Sequence, residues 1–382
     1  MRPRGARAFT ELLRRAGRRG VEGTTLSVAI VSGSGGLVGS EAAQRYAAAG
    51  FDVVGIDNDM RRLFFGADAS TLWNVDRLER TIGSGYWHFS VDIRNREAVR
   101  DVFRIYGREV EVVVHAAGQP SSEWGDREPS TDFAVNALGT LNLLEASREF
   151  APEASFIYTS TNKVYGDGPN ALPLVELDTR YDIEIAHRYR DGIKEDMSID
   201  HSHHTVFGAS KSAADLMVQE YGRSFGLNTV CFRTGTLAGR HQSATSRHGL
   251  LSYVMRCAIS GTHFTVYGYK GKQVRDVMHA SDLVSAFMEY SRNPRPAEIY
   301  NLGGGRRVSV SIVEAIERAE SLTGKQMNWS YLSAMRAGDL MWWIGDNSKF
   351  EAHYPRWALT RNLDMILEEV HEANAERWSE AT

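Results

Sequence analysis

A short glycine-rich segment near the start of the chain has the spacing of a phosphate-binding turn. Gly33, Gly36 and Gly39 stand three residues apart, and Leu37 and Val38 lie between the last two. Glycine lets a backbone turn sharply and approach a pyrophosphate closely, because it carries no Cβ atom. The N–H groups that open a following helix then bind the phosphate oxygens. Between a strand and a helix, such a segment predicts a dinucleotide site.

An acidic residue follows the glycine segment at the distance that a dinucleotide site requires. Asp57, followed by Asn58, lies about 20 residues beyond Gly39, where a carboxylate accepts hydrogen bonds from the adenine ribose. The same carboxylate repels a 2′-phosphate, so the pattern favours NAD over NADP. Arg61 and Arg62 stand close enough to pair with a 2′-phosphate, which leaves the NADP alternative open at this point.

The surrounding sequence alternates strand and helix patterns, which places the glycine segment and Asp57 at strand ends. Apolar runs predict strands at 26–32, 52–56, 87–91, 110–115, 154–159 and 228–232, and helical patterns lie at 40–49, 95–106, 131–148 and 208–225. Continuously apolar strands joined by helices are typical of a parallel sheet that is covered on both faces. The sequence therefore predicts an α/β protein with a doubly wound (Rossmann) parallel sheet and a smaller C-terminal substrate-binding lobe.

The same patterns divide the chain into a leader, a nucleotide-binding domain and a lobe. The leader, residues 1–24, holds seven arginines and no long apolar run, so it is expected to be a disordered basic segment rather than a secretory signal. The expected NAD-binding Rossmann domain spans 25–232 with a return segment at about 278–302, and the substrate-binding lobe spans 233–277 and 303–382. A long polar stretch, 166–206, is expected to be an insertion over the site.

Composition and charge exclude several classes of function. Of 382 residues, 42% are hydrophobic and the net charge is −4, whereas a general binder of nucleic acid or membrane surfaces usually has a basic excess. No apolar stretch approaches the roughly 20 residues that span a bilayer. Cys231 and Cys257 match neither a disulfide framework nor a metal site, so reduced thiols in a cytoplasmic protein are expected. His241 and His248 have no further ligand at matching spacing, so no metal site is predicted.

Several motifs together resemble the extended short-chain dehydrogenase/reductases from residue 26 to about residue 350. They are the glycine segment, Asp92-Ile93, His115-Ala116-Ala117-Gly118, Asn136, Ile157–Gly166 and Lys211. The resemblance implies that Asp92 and Ile93 contact the adenine of NAD, and that Ala116, Ala117, Gly118 and Asn136 belong to the cofactor site. It also implies a homodimer that packs the 131–148 and 208–225 helices into a four-helix bundle.

The resemblance assigns catalytic positions and reveals one departure from the family pattern. Thr161 stands at the hydroxyl position, and Lys211 matches the lysine of the Tyr-x-x-x-Lys pair, which holds the nicotinamide ribose. The tyrosine position is occupied by Phe207, which has no ionisable group and cannot accept a proton from a sugar hydroxyl.

Another side chain must therefore serve as the base if the standard reaction takes place. His203 and His204, one turn before Phe207, titrate near neutrality and suit the role, and Tyr165 stands beside the hydroxyl position. The alternative for the histidines is a polar helix start with Ser202 as its cap.

Two further segments, Thr161–Asp167 and Gly271–Val277, resemble the nucleotide-sugar-modifying branch of the family. The resemblance implies that Asn162 and Lys163 contact the sugar, and that Arg233, Arg275 and Arg336 bind the diphosphate through forked hydrogen bonds. For Arg233 and Arg336 the alternative is an ion pair. The sugar 4,6-dehydratases of the family carry an Asp-Glu pair where this chain has Asn162 and Lys163, which lowers the expectation of that reaction.

The sequence predicts an NAD-dependent nucleotide-sugar epimerase that acts at C2, by transient oxidation to a keto intermediate and return of the hydride. One alternative is an NAD-dependent dehydratase or oxidoreductase, acting on a nucleotide sugar or nucleoside in natural-product biosynthesis. A second is a non-catalytic NAD-binding protein, against which the retention of Thr161 and Lys211 speaks, because a dead site has no physical need for them. Each hypothesis expects a small-molecule ligand and neither a nucleic acid nor a membrane as partner.

Overall fold

A computed structural model describes residues 27–379, so the predicted leader lies outside the described residues. The strands β1 to β15 are, in chain order, Val28–Ser32, Asp52–Ile56, Tyr86–Phe89, Val110–His115, Ser155–Thr161, Leu174–Glu176, Tyr181–Ile183, Asn228–Thr234, Thr236–Ala238, Phe264–Tyr267, Val274–His279, Glu298–Leu302, Ser309–Ser311, Trp329–Leu332 and Trp342–Trp343. The helices α1 to α13 are Leu37–Ala48, Met60–Phe65, Leu72–Ile82, Arg96–Tyr106, Ser122–Arg127, Pro129–Phe133, Gly139–Phe150, Val206–Phe225, Leu250–Ser260, Ala280–Arg292, Ile312–Thr323, Ser348–His353 and Leu363–Ser379.

Seven parallel strands among the described residues form the central sheet, in the order β12-β8-β5-β4-β1-β2-β3. This arrangement confirms the predicted doubly wound parallel sheet. The chain winds in one direction from β1 to β3 and in the other from β4 onward. In such sheets, ligands bind in the crevice outside the carboxyl ends of the strands where the winding reverses.

Helices cover both faces of the central sheet, which explains why its strands are apolar on both sides. Alternate residues of β1 point to opposite faces. Val28 and Ile30 pack in a cluster with α4, α7 and α8. Ala29 and Val31 pack in a second cluster with α1 and α10. The two buried layers fix the positions of the strand ends that carry the site.

The smaller lobe has a second sheet and an apolar core of its own. Its sheet has the order β13-β11-β15, and β9 pairs with β11. Helices α9, α11 and α13 pack together in the lobe's core. β10 and β14 form a separate parallel pair. None of the helices described between residues 27 and 379 is both long and apolar enough to cross a membrane.

One segment that was expected in the lobe packs on the central sheet instead. Phe350 lies edge-to-face with Phe232 of β8, at 5.5 Å between ring centroids, and Trp357 packs edge-on against Phe350 at 5.2 Å. Tyr354 belongs to the same cluster. The assignment of all of 303–382 to the lobe is therefore wrong for residues 348–357, because these rings bury their apolar surface against the sheet.

The long predicted helix at 131–148 is interrupted. Its observed counterparts, α6 and α7, are joined by a π-helical turn at Ala134–Leu138. Turns of this kind are frequent near functional sites. The helices α2 and α3 were absent from the predicted elements, although they carry residues of the cofactor end of the site.

Candidate active site

A cleft of about 420 Å³ opens at the carboxyl ends of the central strands. Its walls are the glycine turn after β1, the ends of β2, β4 and β5, and the start of α8. Thr234 at the end of β8 also lines the cleft. The other side is closed by the lobe, through residues 235–237, 241–243 and 248–250 and Arg275. The cleft therefore lies between the Rossmann domain and the lobe, at the crevice where this sheet type binds ligands.

The glycine turn is built for a close approach of the backbone. Gly33 has φ +72°, and a Cβ atom on it would lie 2.7 Å from the backbone nitrogen of Ala117. A Cβ atom on Gly39 would lie 2.1 Å from the carbonyl oxygen of Gly33. Gly36 precedes α1, and no side chain caps the start of this helix. The N–H groups of its first turn therefore remain available to a ligand. Gly36, Leu37 and Val38 line the cleft. This cradle fits a dinucleotide pyrophosphate.

Asp57 lies at the end of β2 and faces the cleft beside Asn58. Its Oδ2 accepts a hydrogen bond from Gly35 N at 2.9 Å, and its Oδ1 accepts one from Asp59 N at 2.8 Å. Burial raises the pKa of Asp57, while these backbone hydrogen bonds oppose the rise. The carboxylate is therefore held next to the glycine turn, where the adenine ribose of a dinucleotide lies in this fold.

Arg61, which in the sequence could have paired with the 2′-phosphate of NADP, makes its contacts with the lobe instead. Its Nη2 donates to Ser243 O at 2.7 Å and lies 3.3 Å from His248 Nδ1, and its guanidinium sits 4.8 Å from the centroid of the Phe65 ring. Burial lowers the pKa of Arg61 to about 10, and burial beside Arg61 lowers the pKa of His248 to about 3. Arg62 is exposed. The geometry thus favours NAD.

The two residues that were expected to contact adenine lie at the next strand end. Asp92 and Ile93 follow β3 and line the cleft. Arg94 Nη2 donates to Asp92 Oδ2 at 2.6 Å, and this hydrogen bond is the main cause of the lowered pKa of Asp92. The backbone of residues 116–118 after β4, Ala116, Ala117 and Gly118, forms the opposite wall.

Asn136 does not line the cleft, in contrast to its expected place in the cofactor site. Its Oδ1 accepts a hydrogen bond from Gln119 N at 2.9 Å, and its Nδ2 donates to Ser210 Oγ at 3.0 Å. The side chain is 2% exposed. Asn136 therefore joins the cleft wall to α8 from behind, because the π-helical turn directs it between these two elements.

The reacting end of the cleft brings Thr161, Lys163, Phe207 and Lys211 together. Lys211 Nζ donates to Thr159 O at 2.9 Å and lies 4.2 Å from the centroid of the Tyr158 ring. Burial lowers the pKa of Lys211 to about 8. The sequence placed these residues in one site, and the structure assembles them from β5 and α8.

Thr161 ends β5 and is followed by a tight helical turn, Asn162–Tyr165. Thr161 Oγ1 accepts a hydrogen bond from Lys163 N and donates one to Asn162 Oδ1, both at 3.2 Å. Asn162 also lines the cleft. The turn thus presents the threonine hydroxyl, the amide and the lysine side by side.

The expected substitutes for the tyrosine base do not lie in the cleft. Tyr165 is fully buried, donates to Asn301 Oδ1 at 2.8 Å and accepts from Arg233 Nη1 at 3.0 Å. Burial raises its pKa to about 12. His203 is exposed, and His204 Nε2 lies 2.8 Å from Val164 O. Of these described residues, none contributes to the cleft wall. The position of Tyr165, His203 and His204 outside the cleft wall does not fit the prediction that one of them is the base.

The polar stretch 166–206 that carries these histidines does not cover the site. Its apolar residues, among them Ile183 and Ile193, pack against Trp342 and Trp343 of the lobe. None of the described residues 166–206 lines the cleft. The stretch is anchored on β15, because its apolar residues bury their surface in one cluster with the two tryptophans.

The expected diphosphate arginines separate in the structure. Arg275 lines the cleft, donates to Val274 O at 2.7 Å and pairs with Asp339. Arg233 is buried in an ion pair with Asp215, at 2.7 Å between Nη2 and Oδ1. Arg336 is exposed, with its guanidinium 4.4 Å from the centroid of the Tyr267 ring. Only the placement of Arg275 agrees with the prediction, since the other two are occupied elsewhere.

The sequence did not predict one part of the cofactor end of the cleft. Trp73 Nε1 donates to Ser243 Oγ at 3.0 Å, and Ser243 Oγ donates to Ser70 O at 3.1 Å. The lobe segment 239–249 is thereby fastened over the outer end of the cleft. In the sequence, the only residues of this segment that drew attention were His241 and His248, which were considered as metal ligands and set aside. Both line the cleft.

The fold and the cleft define the class of protein: a nucleotide-binding enzyme of the extended short-chain dehydrogenase/reductase type. The chain belongs to the NAD dependent epimerase/dehydratase family, whose pattern matches residues 29–303. These findings confirm the predicted family, the predicted enzyme class and NAD as its cofactor.

The relatives include both epimerases and dehydratases. CDP-paratose 2-epimerase of Salmonella typhi is 32% identical over 331 residues, which cover 84% of this chain and 91% of the relative. dTDP-glucose 4,6-dehydratase of Escherichia coli is 25% identical over 307 residues, covering 76% of this chain and 75% of that protein.

Solved structures agree with the fold. The crystal structure of UDP-glucose 4-epimerase from Bifidobacterium longum in complex with NAD⁺ and UDP superposes with a TM-score of 0.75 at 20% identity. The superposition covers 92% of this chain and 99% of that one. At this identity the likeness shows the fold, and the chemistry of the site rests on the residues described above.

Proposed function

We propose that this enzyme inverts C2 of a nucleotide sugar by transient oxidation and return of the hydride. The observation that carries the proposal is the chemistry of the reacting end, where Thr161, Lys163 and Lys211 meet. Among the described residues that line the cleft, the carboxylates are Asp57 and Asp92. Both follow strands on the far side of the sheet from Thr161, at β2 and β3.

The absence of a carboxylate at the reacting end of the described cleft favours epimerisation over elimination. Loss of water needs a base for the carbon-bound proton and an acid for the leaving hydroxyl, besides the groups that support oxidation. The related dehydratases use an Asp-Glu pair for this, and the corresponding positions hold Asn162 and Lys163. An amide neither accepts nor supplies a proton at neutral pH.

The residues have distinct tasks in the proposed reaction. NAD, held by the glycine turn and Asp57, would supply a hydride acceptor that also gives the hydride back, so the net reaction would be redox-neutral. Thr161 would hydrogen-bond the reacting oxygen, and Lys211 would hold the nicotinamide ribose. Arg275 binds the substrate diphosphate. Phe207 supplies an apolar ring face where the family has a hydroxyl, so it excludes water but moves no proton.

The choice of C2 rests on the relative that is 32% identical, the CDP-paratose 2-epimerase. Thr161–Asp167 and Gly271–Val277, which resemble nucleotide-sugar-modifying enzymes, support the substrate class rather than the carbon. Thr161, Asn162, Lys163 and Arg275 from these segments line the cleft.

The test is to identify the product formed from defined nucleotide sugars. The NAD-loaded protein is incubated with CDP-paratose in deuterated water, and the sugar ring is followed by proton NMR. The proposal predicts the C2 epimer with no solvent deuterium on C2. UDP-glucose, UDP-glucuronate and dTDP-glucose serve as controls. Inversion at C4 of a control substrate, or a 4-keto-6-deoxy product, would contradict the assignment.

A further inference from the structure

We propose that the Lys163 side-chain amine is the proton acceptor and donor of this site, in place of the tyrosine that Phe207 replaces. The proposal rests on the transient oxidation described under the proposed function and names the residue that moves its proton. It differs from the expectation that Lys163 only contacts the sugar.

The backbone places Lys163 beside the start of α8, where Phe207 occupies the tyrosine position. Lys163 follows Thr161 by two residues, and its N–H is fixed on Thr161 Oγ1 at 3.2 Å. Its carbonyl oxygen packs against the first turn of α8, because a Cβ atom on Gly208 would lie 2.9 Å from Lys163 O. Gly208 is the residue after Phe207. The lysine and the phenylalanine therefore border the same end of the cleft.

The amine of Lys163 retains capacity for a substrate. In the described part of the chain its Nζ donates one hydrogen bond, to Gly338 O at 2.6 Å. The neighbouring carboxylate, Asp339, is paired with Arg275 instead. Lys163 is partly buried and lines the cleft. The hydrogen-bond partner of this lysine is a neutral carbonyl, and a guanidinium lies nearby. The protonated form of the amine is therefore not strongly stabilised.

The electrostatic surroundings, like the geometry, favour Lys163 as a base. Burial and the positive charge of Arg275 lower the pKa of the Lys163 ammonium to about 8, although Asp339 opposes the shift. A neutral amine is then available near physiological pH, where an exposed lysine is almost wholly protonated. A base is most effective when its pKa lies near the working pH.

The other titratable groups that line the cleft are less suited to this task. Lys211 is 7% exposed, and its amine is held between Thr159 O and the ring of Tyr158. His248 and His241 lie with the lobe segment 239–249. Burial lowers the pKa of each histidine to about 3.

The proton transfer is balanced within one catalytic cycle. The Lys163 amine takes the proton of the substrate hydroxyl, so an O–H bond breaks and an N–H bond forms as the carbonyl develops. After the sugar has turned its other face, the ammonium returns the proton to the same oxygen. Lys163 ends the cycle neutral, and no external acid, base, oxidant or reductant is consumed.

The experiment separates proton transfer from positioning by rebuilding the amine chemically. In Lys163→Met and Lys163→Arg, turnover should fall by about 10²–10⁴-fold, the usual contribution of a general base. Lys163→Cys should be equally slow, and alkylation with 2-bromoethylamine, which produces a thioether lysine, should restore it. Cys231 and Cys257 are buried, and reagent-treated unaltered protein controls for their reaction. Lys194→Met, an exposed lysine outside the cleft, should be unaffected.

Two measurements distinguish proton transfer by Lys163 from a merely structural role. The rate of the unaltered enzyme should rise with pH to a midpoint near 8. In the thioether variant the midpoint should move to lower pH, because sulfur lowers the basicity of the amine. Calorimetry should show that Lys163→Met still binds NAD and cytidine diphosphate. Near-normal turnover of Lys163→Met, an unmoved pH midpoint or loss of cytidine diphosphate binding would each overturn the proposal.

A substrate-independent measurement distinguishes this proposal from the proposed function. The side-chain amine of Lys163 is titrated by NMR in NAD-loaded protein that carries ¹³C-labelled lysine, with Lys163→Arg to assign its signal. A midpoint near 8 supports the proposal, and a midpoint like that of a solvent-exposed lysine overturns it. If CDP-paratose is not inverted at C2, the proposed function fails while this titration still decides the role of Lys163.

Discussion

Arg61 Nη2 of the cofactor domain donates to the backbone carbonyl of Ser243 in the lobe, at 2.7 Å. The contact closes the outer end of the cleft over Asp57, which lies at the position of the adenine ribose. Because Trp73 also binds Ser243, the lobe segment 239–249 is fastened to the Rossmann domain from two sides. These hydrogen bonds are therefore expected to slow the release of a cofactor that is bound beneath this segment.

Removal of the Arg61 side chain should therefore speed the loss of NAD. A hydrogen bond from a charged group is worth about 1.5–3 kcal/mol, so Arg61→Ala should release NAD at least about tenfold faster. The measurement is the NAD content of purified protein during dialysis. Arg62→Ala, the exposed neighbour, is the matched control and should retain NAD. Equal retention by both variants would show that this contact does not hold the cofactor.

The buried carboxyl group of Asp276 should make stability depend on pH. Burial raises the pKa of Asp276 to about 7, although Gly345 N donates to its Oδ2 at 2.9 Å. Because the folded pKa exceeds the unfolded value of about 3.9, its contribution is complete below about pH 4 and is lost as pH rises through 7. Relative to the unaltered protein, Asp276→Asn should gain stability on the order of a few kcal/mol between pH 4 and 7, by urea denaturation. A constant difference across this range would contradict the shift.

Tyr165 should matter for stability and not for turnover. Its hydroxyl joins Asn301 to Arg233 within the buried network that includes Asp215. Tyr165→Phe leaves buried polar partners unsatisfied, which costs about 1–3 kcal/mol in the free energy of unfolding. Turnover below the melting temperature should stay within about twofold. A large loss of turnover with normal stability would restore Tyr165 as a candidate base.

Tyr165 and Lys163 show which features of the site could be predicted from the sequence and which could not. The glycine segment and Asp57 were predictable because they depend on local strand and helix patterns and on fixed spacing. The base that we propose was not predictable, because Lys163 and Tyr165 lie in one short turn and point in different directions, to the cleft and to the core. Spacing along the chain carries no information on that direction.

The same limit applies to contacts between distant parts of the chain. Arg233 resembled a phosphate ligand in sequence, but its partner Asp215 lies on the neighbouring helix α8, and only the packed structure shows the pair. The closure of segment 239–249 over Arg61 likewise joins residues far apart in sequence. The family and fold could be predicted without these contacts, whereas the position of Arg233 and the outer wall of the cleft could not.

The helices that were expected to form a dimer interface carry exposed apolar side chains. Phe133, the last residue of α6, is 52% exposed, and Leu138, the last residue of the π-helical turn, is 44% exposed. Leu216 of α8 is 46% exposed. We predict a homodimer at micromolar concentration by light scattering. Leu216→Glu should yield monomers, because it places a charge in a desolvated apolar contact. Leu63→Glu, at an exposed leucine of α2, should remain dimeric. A monomeric unaltered protein would contradict the prediction.

The most direct test of transient oxidation is an isotope crossover experiment. One portion of CDP-paratose carries deuterium at C2, a second carries ¹³C throughout the sugar, and the enzyme converts an equal mixture of the two. Because the hydride is returned to the molecule that supplied it, mass spectrometry should find deuterium only in the ¹²C epimer. Deuterium in the ¹³C epimer would show exchange between molecules, and its loss to water would show proton abstraction at carbon. Either result would contradict the reaction proposed for this site.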